Sequence, residues 1–486
     1  MNKKIFEILG IIAVFPFGFW AVSEIALLPA LYQIYAAAVG LAMLAMLLFG
    51  RGLPFDLKFV IALCFGYALA GRGFAYISIR EPLYIGELAF IVGCLGFVVR
   101  LLSGAPVAWK SPQFAVAAWI LLIACYIPGN YTVFGMLTLR DSSMGYYSFF
   151  AIVMLYALQE VKAREAIEKS FVWMILFGMI SALTLYIPPI LDAVMRIPVL
   201  SRLFYPHPDS FVPWLVAGSS YGIFIGIQKK SLSLIFLGTI GMFLLLTTKT
   251  AGIFSLALTW LALLLFAQRR EVLVLGIITG TFVAIFSAAI SLGTIKTLND
   301  YAKHSDHVAA FTDINARDGS GSKSTTDWRI VWWTIVMKDT MKQSPVFGAG
   351  LGGDITSHFI RATYKRPANS TDARYPHNFV FTVLGRMGLV GVAAAGIIWS
   401  VIVWFLYCFA RDHLRKDVVH PPALIAFTYV VGGMANSLVQ TTYEAPYAAI
   451  PHWALLGYLM AYYQAMGRKA KTSEVEVGEV PFAKHA

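Results

Sequence analysis

The sequence predicts an all-α polytopic membrane protein with about twelve to fourteen transmembrane helices and one long loop on the outer face. Three observations carry this. Hydrophobic residues fill 58% of the 486 positions against 13% charged, and mean hydropathy is +0.70, a balance that excludes a soluble domain. The apolar residues fall into runs near the ~20 residues that a membrane-spanning helix needs. Lys and Arg crowd alternate segments between those runs, as the positive-inside rule requires.

Taken in order, the runs cover 5–22, 27–49, 58–79, 83–102, 113–130, 144–159, 170–190, 211–227, 231–247, 250–268 and 272–293, then 377–410, 421–441 and 446–466. The short ones near 144 and between 231 and 268 set the lower bound on the span count. The chain therefore divides into a membrane domain of eleven helices (1–293), a long loop (294–376), three last helices (377–466) and a polar tail (467–486) expected to be disordered. Lys3-Lys4 ahead of the first run and Ala21-x-Ser23 behind it imitate a signal peptide. A retained first span is preferred, because every later span then takes a consistent orientation.

With the N-terminus inside, the inner segments hold Lys3/Lys4, Arg51/Lys58, Arg100/Lys110, Lys162/Arg164/Lys169, Lys229/Lys230, Arg269/Arg270, Arg411/Arg415/Lys416 and Arg468/Lys469/Lys471. Apart from the long loop, the outer segments hold Arg72/Arg80, Arg140, Arg196/Arg202 and Lys249. Residues 294–376 are thus expected outside the cytoplasmic membrane. Within them, 313–326 reads as flexible and 327–343 as an interfacial helix with three Trp near one end. Arg361, Lys365, Arg366 and Arg374 form a basic cluster beyond.

The net charge of +12 does not point to nucleic acid, because the basic residues are spread thinly at the ends of apolar runs. Cys64, Cys94, Cys125 and Cys408 all lie inside apolar runs, with spacing that fits neither zinc nor a disulfide framework. His304-x-Asp306-His307 gathers metal-ligand types, but in a flexible loop with no third shell, so no metal and no cofactor are expected.

The chemistry concentrates in 327–391. Arg329 and Trp333 are four apart and share a helix face. Pro345-x-Phe347-Gly348-x-Gly350-x-Gly352 must turn tightly or admit another group to its backbone. Pro376-His377-Asn378 then opens the run 377–410, placing His377 at a helix start on the membrane edge. A lone His there is ordinarily a cap or an interface residue; the cations around it favour a site. Arg140, Arg202, Lys249, Arg329 and His377 would share the outer interface, where guanidinium forks suit a lipid-linked phosphate or diphosphate. Each alone could equally snorkel to lipid headgroups. The helix N-terminus and the arginines disfavour the imidazolium, which keeps His377 a proton acceptor for a sugar hydroxyl. Glu444, in the last outer turn, could orient an acceptor or pair with a base. A lipid-linked sugar transporter would also explain many spans, with Glu87 near the middle of its expected span as its carrier residue. It explains poorly a long outer loop bearing a His motif.

The pattern His377-Asn378, nine residues, Gly388-x-x-Gly391 resembles the signature of the bacterial O-antigen ligase and polymerase superfamily. The preceding Arg329, Trp333 and Pro345-x-Phe-Gly-x-Gly are similar to that family's segment ahead of its histidine. Thr248-Lys249-Thr-Ala-Gly252 resembles its Ser-Arg-x-Gly turn with Lys for Arg, and Arg202 precedes Pro206-His207 where the family has a Pro-Asn pair. The resemblance spans about 200–400. It implies a GT-C-like, inverting, metal-independent glycosyltransferase at the periplasmic face of the inner membrane. Such an enzyme moves a glycan from undecaprenyl diphosphate to an acceptor hydroxyl. Arg202, Arg329, Arg140 and Lys249 would hold the diphosphate and His377 would activate the acceptor. Asn378, Asp141, Trp333 and Glu444 would support them. The acceptor is a second lipid-linked repeat in a polymerase of O-antigen or exopolysaccharide, or the lipid A core in a ligase. The span count, the Arg140-Asp141 loop and the basic run 361–374 favour the polymerase.

Overall fold

The computed structural model describes residues 53–75, 77–80, 83–104, 107–186, 208–248, 250–269, 325–355, 375–416 and 418–478. The runs 5–22, 27–49 and 272–293, the basic run 361–374, and Arg202, Lys249, His304 and His307 lie outside the described residues.

Within the described residues every expected run meets helix. α1 (Phe55–Ala70) is followed by one turn, α2 (Arg72–Ala75). A short antiparallel ribbon, β1 (Ser78–Arg80) against β2 (Leu83–Tyr84), leads into α3 (Ile85–Leu102). α4 (Ser111–Phe134) carries Pro112 in its first turn, where a missing amide costs nothing. The expected span 144–159 is a correction. The chain there breaks into α5 (Met136–Asp141), α6 (Ser143–Tyr146) and α7 (Phe149–Ala157). Serines at the breaks explain it: Ser142 Oγ donates to the Leu139 carbonyl at 2.7 Å and Ser148 Oγ to the Gly145 carbonyl at 2.5 Å, competing with the helical ladder. Then come α8 (Val161–Tyr186), α9 (Pro208–Gln228), α10 (Leu232–Thr248), α11 (Thr250–Ala267) and α12 (Thr325–Gln343). α13 (Phe379–Phe409) runs into a π-turn, Ala410–Leu414, before α14 (Pro421–Ser437) and α15 (Pro446–Gly478). The polar tail expected to be disordered is helical as far as Gly478, where Ala, Lys, Arg and Glu supply helix propensity.

Five of the described helical segments are long and apolar enough to cross a membrane: Ile85–Leu102, Ser111–Phe134, Val161–Leu183, Ser210–Gln228 and Phe379–Leu414. α7, α9, α14 and α15 form the centre of the bundle. α7 is buried from Phe150 to Ala157, and α14 packs against α9, α11 and α15. α3 and α4 keep most of their surface apolar and exposed, as helices facing lipid do.

The contacts sort the loops into the same two sets as the charges. At one end, Arg100 pairs with Asp56, Arg269 Nε donates to the Leu414 carbonyl at 2.8 Å, Gln464 reaches the Ala108 carbonyl at 2.7 Å, and His420 lies 3.6 Å from Glu168. At the other end meet 84–87, α5 and α6, 329–353, 375–388 and 436–446. Glu87 belongs to this second end. It lies on the first turn of α3 rather than mid-span, because Tyr84 forms the N-cap and its amide donates to Glu87 Oε2 at 3.1 Å. The hydroxyls of Tyr146 and Tyr147 donate to Glu87 Oε1 at 2.8 and 2.6 Å. This placement removes the reason for reading it as a mid-membrane carrier.

Candidate functional site

The site is built on the start of α13. Asn378 is its N-cap: the side-chain oxygen accepts from the amides of Val380 (2.9 Å) and Phe381 (3.3 Å). Its Nδ2 donates to the Leu438 carbonyl at 2.6 Å, which ties the helix mouth to the 438–445 turn. His377, half-buried, has φ 52°, a left-handed conformation uncommon for a non-glycine residue. Its ring lies edge-on to Trp332 at 5.9 Å. The neighbouring Trp333 donates Nε1–H to the Pro376 carbonyl at 2.6 Å and stacks on Phe381 at 5.4 Å. Arg329, on the same face of α12, brings Nη2 within 3.5 Å of Gln440 Oε1. Arg329, Trp333, His377 and Asn378 are thus one cluster.

A second cluster adjoins it. Asp141, the last residue of α5, is buried and ion-paired with Arg386 of α13, itself only 1% exposed. The same carboxylate accepts from the Gly352 amide at 2.8 Å and the Tyr375 hydroxyl at 3.2 Å. Arg386 also donates to the Gly353 carbonyl at 3.1 Å and lies 5.4 Å over the Tyr375 ring. Burial, then the charge of Asp141, pushes the Tyr375 hydroxyl up, which keeps it a donor. Arg140 is exposed beside this cluster, and its charge acts on Tyr375.

The glycine signature explains how the clusters meet. Gly388 breaks α13 with φ 62°, ψ −157°. In an unbroken helix the Leu389 and Val390 amides would bond the Gly385 and Arg386 carbonyls. Here the four groups are exchanged with the glycine-rich loop. Leu389 and Val390 donate to the Pro345 and Val346 carbonyls (2.9 and 3.2 Å), while Ala349 and Gly350 donate to the Gly385 and Arg386 carbonyls (2.8 and 2.9 Å). The approach is so close that a Cβ on Gly348 would lie 2.6 Å from the Gly388 nitrogen. The loop's backbone is therefore committed to a helix.

Glu444 lies between α6 and α13. Its carbonyl is 3.5 Å from Ser143 Oγ, and its side chain faces Thr382 and Arg386. It is 6% exposed, and neither carboxylate oxygen has a hydrogen-bond partner among the described residues, since the nearby Thr382 hydroxyl is spent on the Asn378 carbonyl at 3.0 Å. Burial pushes its carboxyl up to about 7, against smaller downward effects of Thr382, adjacent backbone and Arg386.

Arg202 and Lys249, expected at the diphosphate, lie outside the described residues. Arg386 and Tyr375 belong to the constellation but not to the expected set. Arg386 had a signal: a lone arginine in a long apolar run is costly unless partnered. Among the described residues no group of three or more His, Cys, Asp or Glu is placed to hold a metal ion.

The fold and site define an α-helical, multi-pass membrane protein with an ionisable cluster gathered at one end of its bundle. Residues 233–396 match the family model described as O-antigen ligase, a likeness that covers about a third of the chain and supports a membrane enzyme of the O-antigen ligase and polymerase type. No curated protein matches the chain. The matched segment contains Arg329, Trp333, His377, Asn378 and Arg386; Arg140, Asp141 and Glu444 reach the site from outside it.

Proposed function

We propose that the chain is an inverting glycosyltransferase of the bacterial inner membrane, working at the periplasmic face without a metal. It takes an undecaprenyl-diphosphate-linked glycan and polymerises O-antigen or exopolysaccharide repeat units. What supports this most is His377, placed at an Asn-capped helix mouth with Trp332 on its ring and Arg329 in the same cluster. The acceptor hydroxyl loses its proton to His377 as its oxygen bonds the donor's anomeric carbon from the face opposite the leaving group. The bond from that carbon to the diphosphate oxygen breaks, and undecaprenyl diphosphate leaves with the electron pair. Arg329, with Arg202, Arg140 and Lys249, would hold the diphosphate, and the start of α13 contributes a positive helix end.

The description of the matched family supports a second reading, a ligase that transfers finished polymer to the lipid A core. Gene deletion separates the two. A missing polymerase leaves single repeat units, whereas a missing ligase leaves long polymer on the carrier lipid. His377→Ala should reproduce the deletion phenotype with normal protein levels; near-normal product from a folded variant would refute the role of His377. The side of the membrane is tested with a Ser320→Cys variant, which should react with an impermeant thiol reagent in cells whose inner membrane is intact.

A further inference from the structure

A left-handed backbone at a residue such as His377 persists only where its surroundings over-determine it. Three tethers do so here. Trp333 holds the Pro376 carbonyl, Asn378 is held by Leu438 and the first turn of α13, and Tyr375 is held by Asp141. The last tether differs from the others because its anchor is charged and buried. The Asp141 carboxylate receives donors from three separate pieces of chain: Gly352 of the glycine-rich loop, Tyr375 of the His segment and Arg386 of α13. A buried ion pair is a poor investment in stability alone, but a carboxylate with several directional donors fixes geometry. The Tyr375 ring also lies against the Arg386 guanidinium, so hydroxyl and ring are both engaged.

We propose that Tyr375, Asp141 and Arg386 are positioning residues for the transfer reaction, with the Tyr375 hydroxyl linking the buried ion pair to the segment that carries His377. This rests on the reading of His377 as proton acceptor. The pair does not touch substrate; it sets where the imidazole stands relative to the helix mouth. The charge fixed in α5 and α13 is thereby converted into the placement of a ring two residues from Tyr375.

Tyr375→Phe is the deciding variant, because it keeps the ring over Arg386 and removes only the bond to Asp141. The full-length protein is reconstituted in proteoliposomes and supplied with the lipid extract of a strain lacking the gene as source of donor and acceptor. Turnover at saturating extract should fall about tenfold, while the half-saturating extract concentration and the thermal unfolding midpoint stay unchanged, as misplacement of a reacting group predicts. In an Asp141→Asn background, where an uncharged amide oxygen is the weaker acceptor, the same change should cost clearly less than in the wild type. Where Asp141→Asn does not fold, the turnover split in Tyr375→Phe alone decides. Full turnover in Tyr375→Phe, a loss confined to half-saturation, or an undiminished effect in the Asp141→Asn background overturns the proposal. These results are read beside His377→Ala: if that variant is inactive, only the positioning role has failed, and if it is active the underlying reading has failed.

Discussion

Two Asp–Arg pairs join helix ends at opposite ends of the bundle, and they differ in what shares them. Asp56 of α1 meets Arg100 of α3 fork to fork, at 2.5 and 2.7 Å, and Arg100 keeps 16% of its side chain exposed. Both oxygens of Asp56 go to one partner. Asp141 and Arg386 are at most 1% exposed, and Asp141 divides its oxygens among an arginine, a backbone amide and a tyrosine. The first pair fastens two helices. The second is a junction, and three segments of the site lose a reference point if it goes.

The largest expected difference comes from removing each aspartate. Asp141→Ala leaves Arg386 charged and enclosed, at a cost of about 3–5 kcal/mol, and should abolish transfer. Asp56→Ala leaves an arginine that can turn toward water, so its cost is smaller and transfer should survive. Unfolding midpoints and transfer assays on both variants test this; equal losses would erase the distinction.

Glu444 sharpens the comparison, because it brings a second carboxylate to face Arg386. Its carboxyl is raised from 4.5 to about 7 by burial. The folded state therefore holds the proton more tightly than the unfolded chain. Its contribution to stability is greatest below about 4.5 and declines until pH passes about 7, by up to about 3 kcal/mol. Glu444→Gln should raise the unfolding midpoint at pH 8 and leave it nearly unchanged at pH 4.5. A gain of the same size at both pH values would show that titration is not the cause.

Gly388→Ala should cost about 1–3 kcal/mol and lower transfer several-fold, because φ is 62° and a Cβ would press on the backbone of 346–347. Gly396, on the same helix with nothing within 4 Å of an added Cβ, is the control and should accept alanine freely. Indistinguishable alanine variants would mean that the break carries no strain. The smallest effect is expected from Arg329→Lys, a several-fold loss of transfer with folding intact, since charge remains but the fork is lost. Excess EDTA should not alter the rate; a loss restored by a divalent ion would turn attention to His304 and His307.

What was legible in the sequence followed periodicity and local spacing. The apolar runs mark the helices because 3.6-residue periodicity and span length are local properties. His377, Asn378 and Gly388 stand out because capping and helix breaking are encoded within a few residues. Arg386 shows only as a lone charge in an apolar run, because its partner is 245 positions away and leaves no local mark. Glu87 departs from its expected mid-span place for a related reason: the run begins at 83, but Tyr84 turns the first residues into a cap. The glycine-rich loop is expected either to turn tightly or to admit another group to its backbone, and it does the second. That the approaching group is a helix could not be read, because exchanged backbone bonds leave no mark on side-chain pattern. The broken stretch 136–157 shows the same limit, since apolarity predicts a span while Ser142 and Ser148 decide its continuity.

The exchange of bonds at Gly388 also bears on how such proteins can be recombined. Residues 345–350 and 385–390 each supply backbone partners that the other lacks. A chimera that draws the loop from one protein and the helix from another joins two halves that were never matched in length or register. Four amides and four carbonyls in an apolar setting would then be left to find other partners. Crossovers that keep 345–390 from a single parent preserve the match, so this interval, rather than the individual helix, is the natural module for exchange.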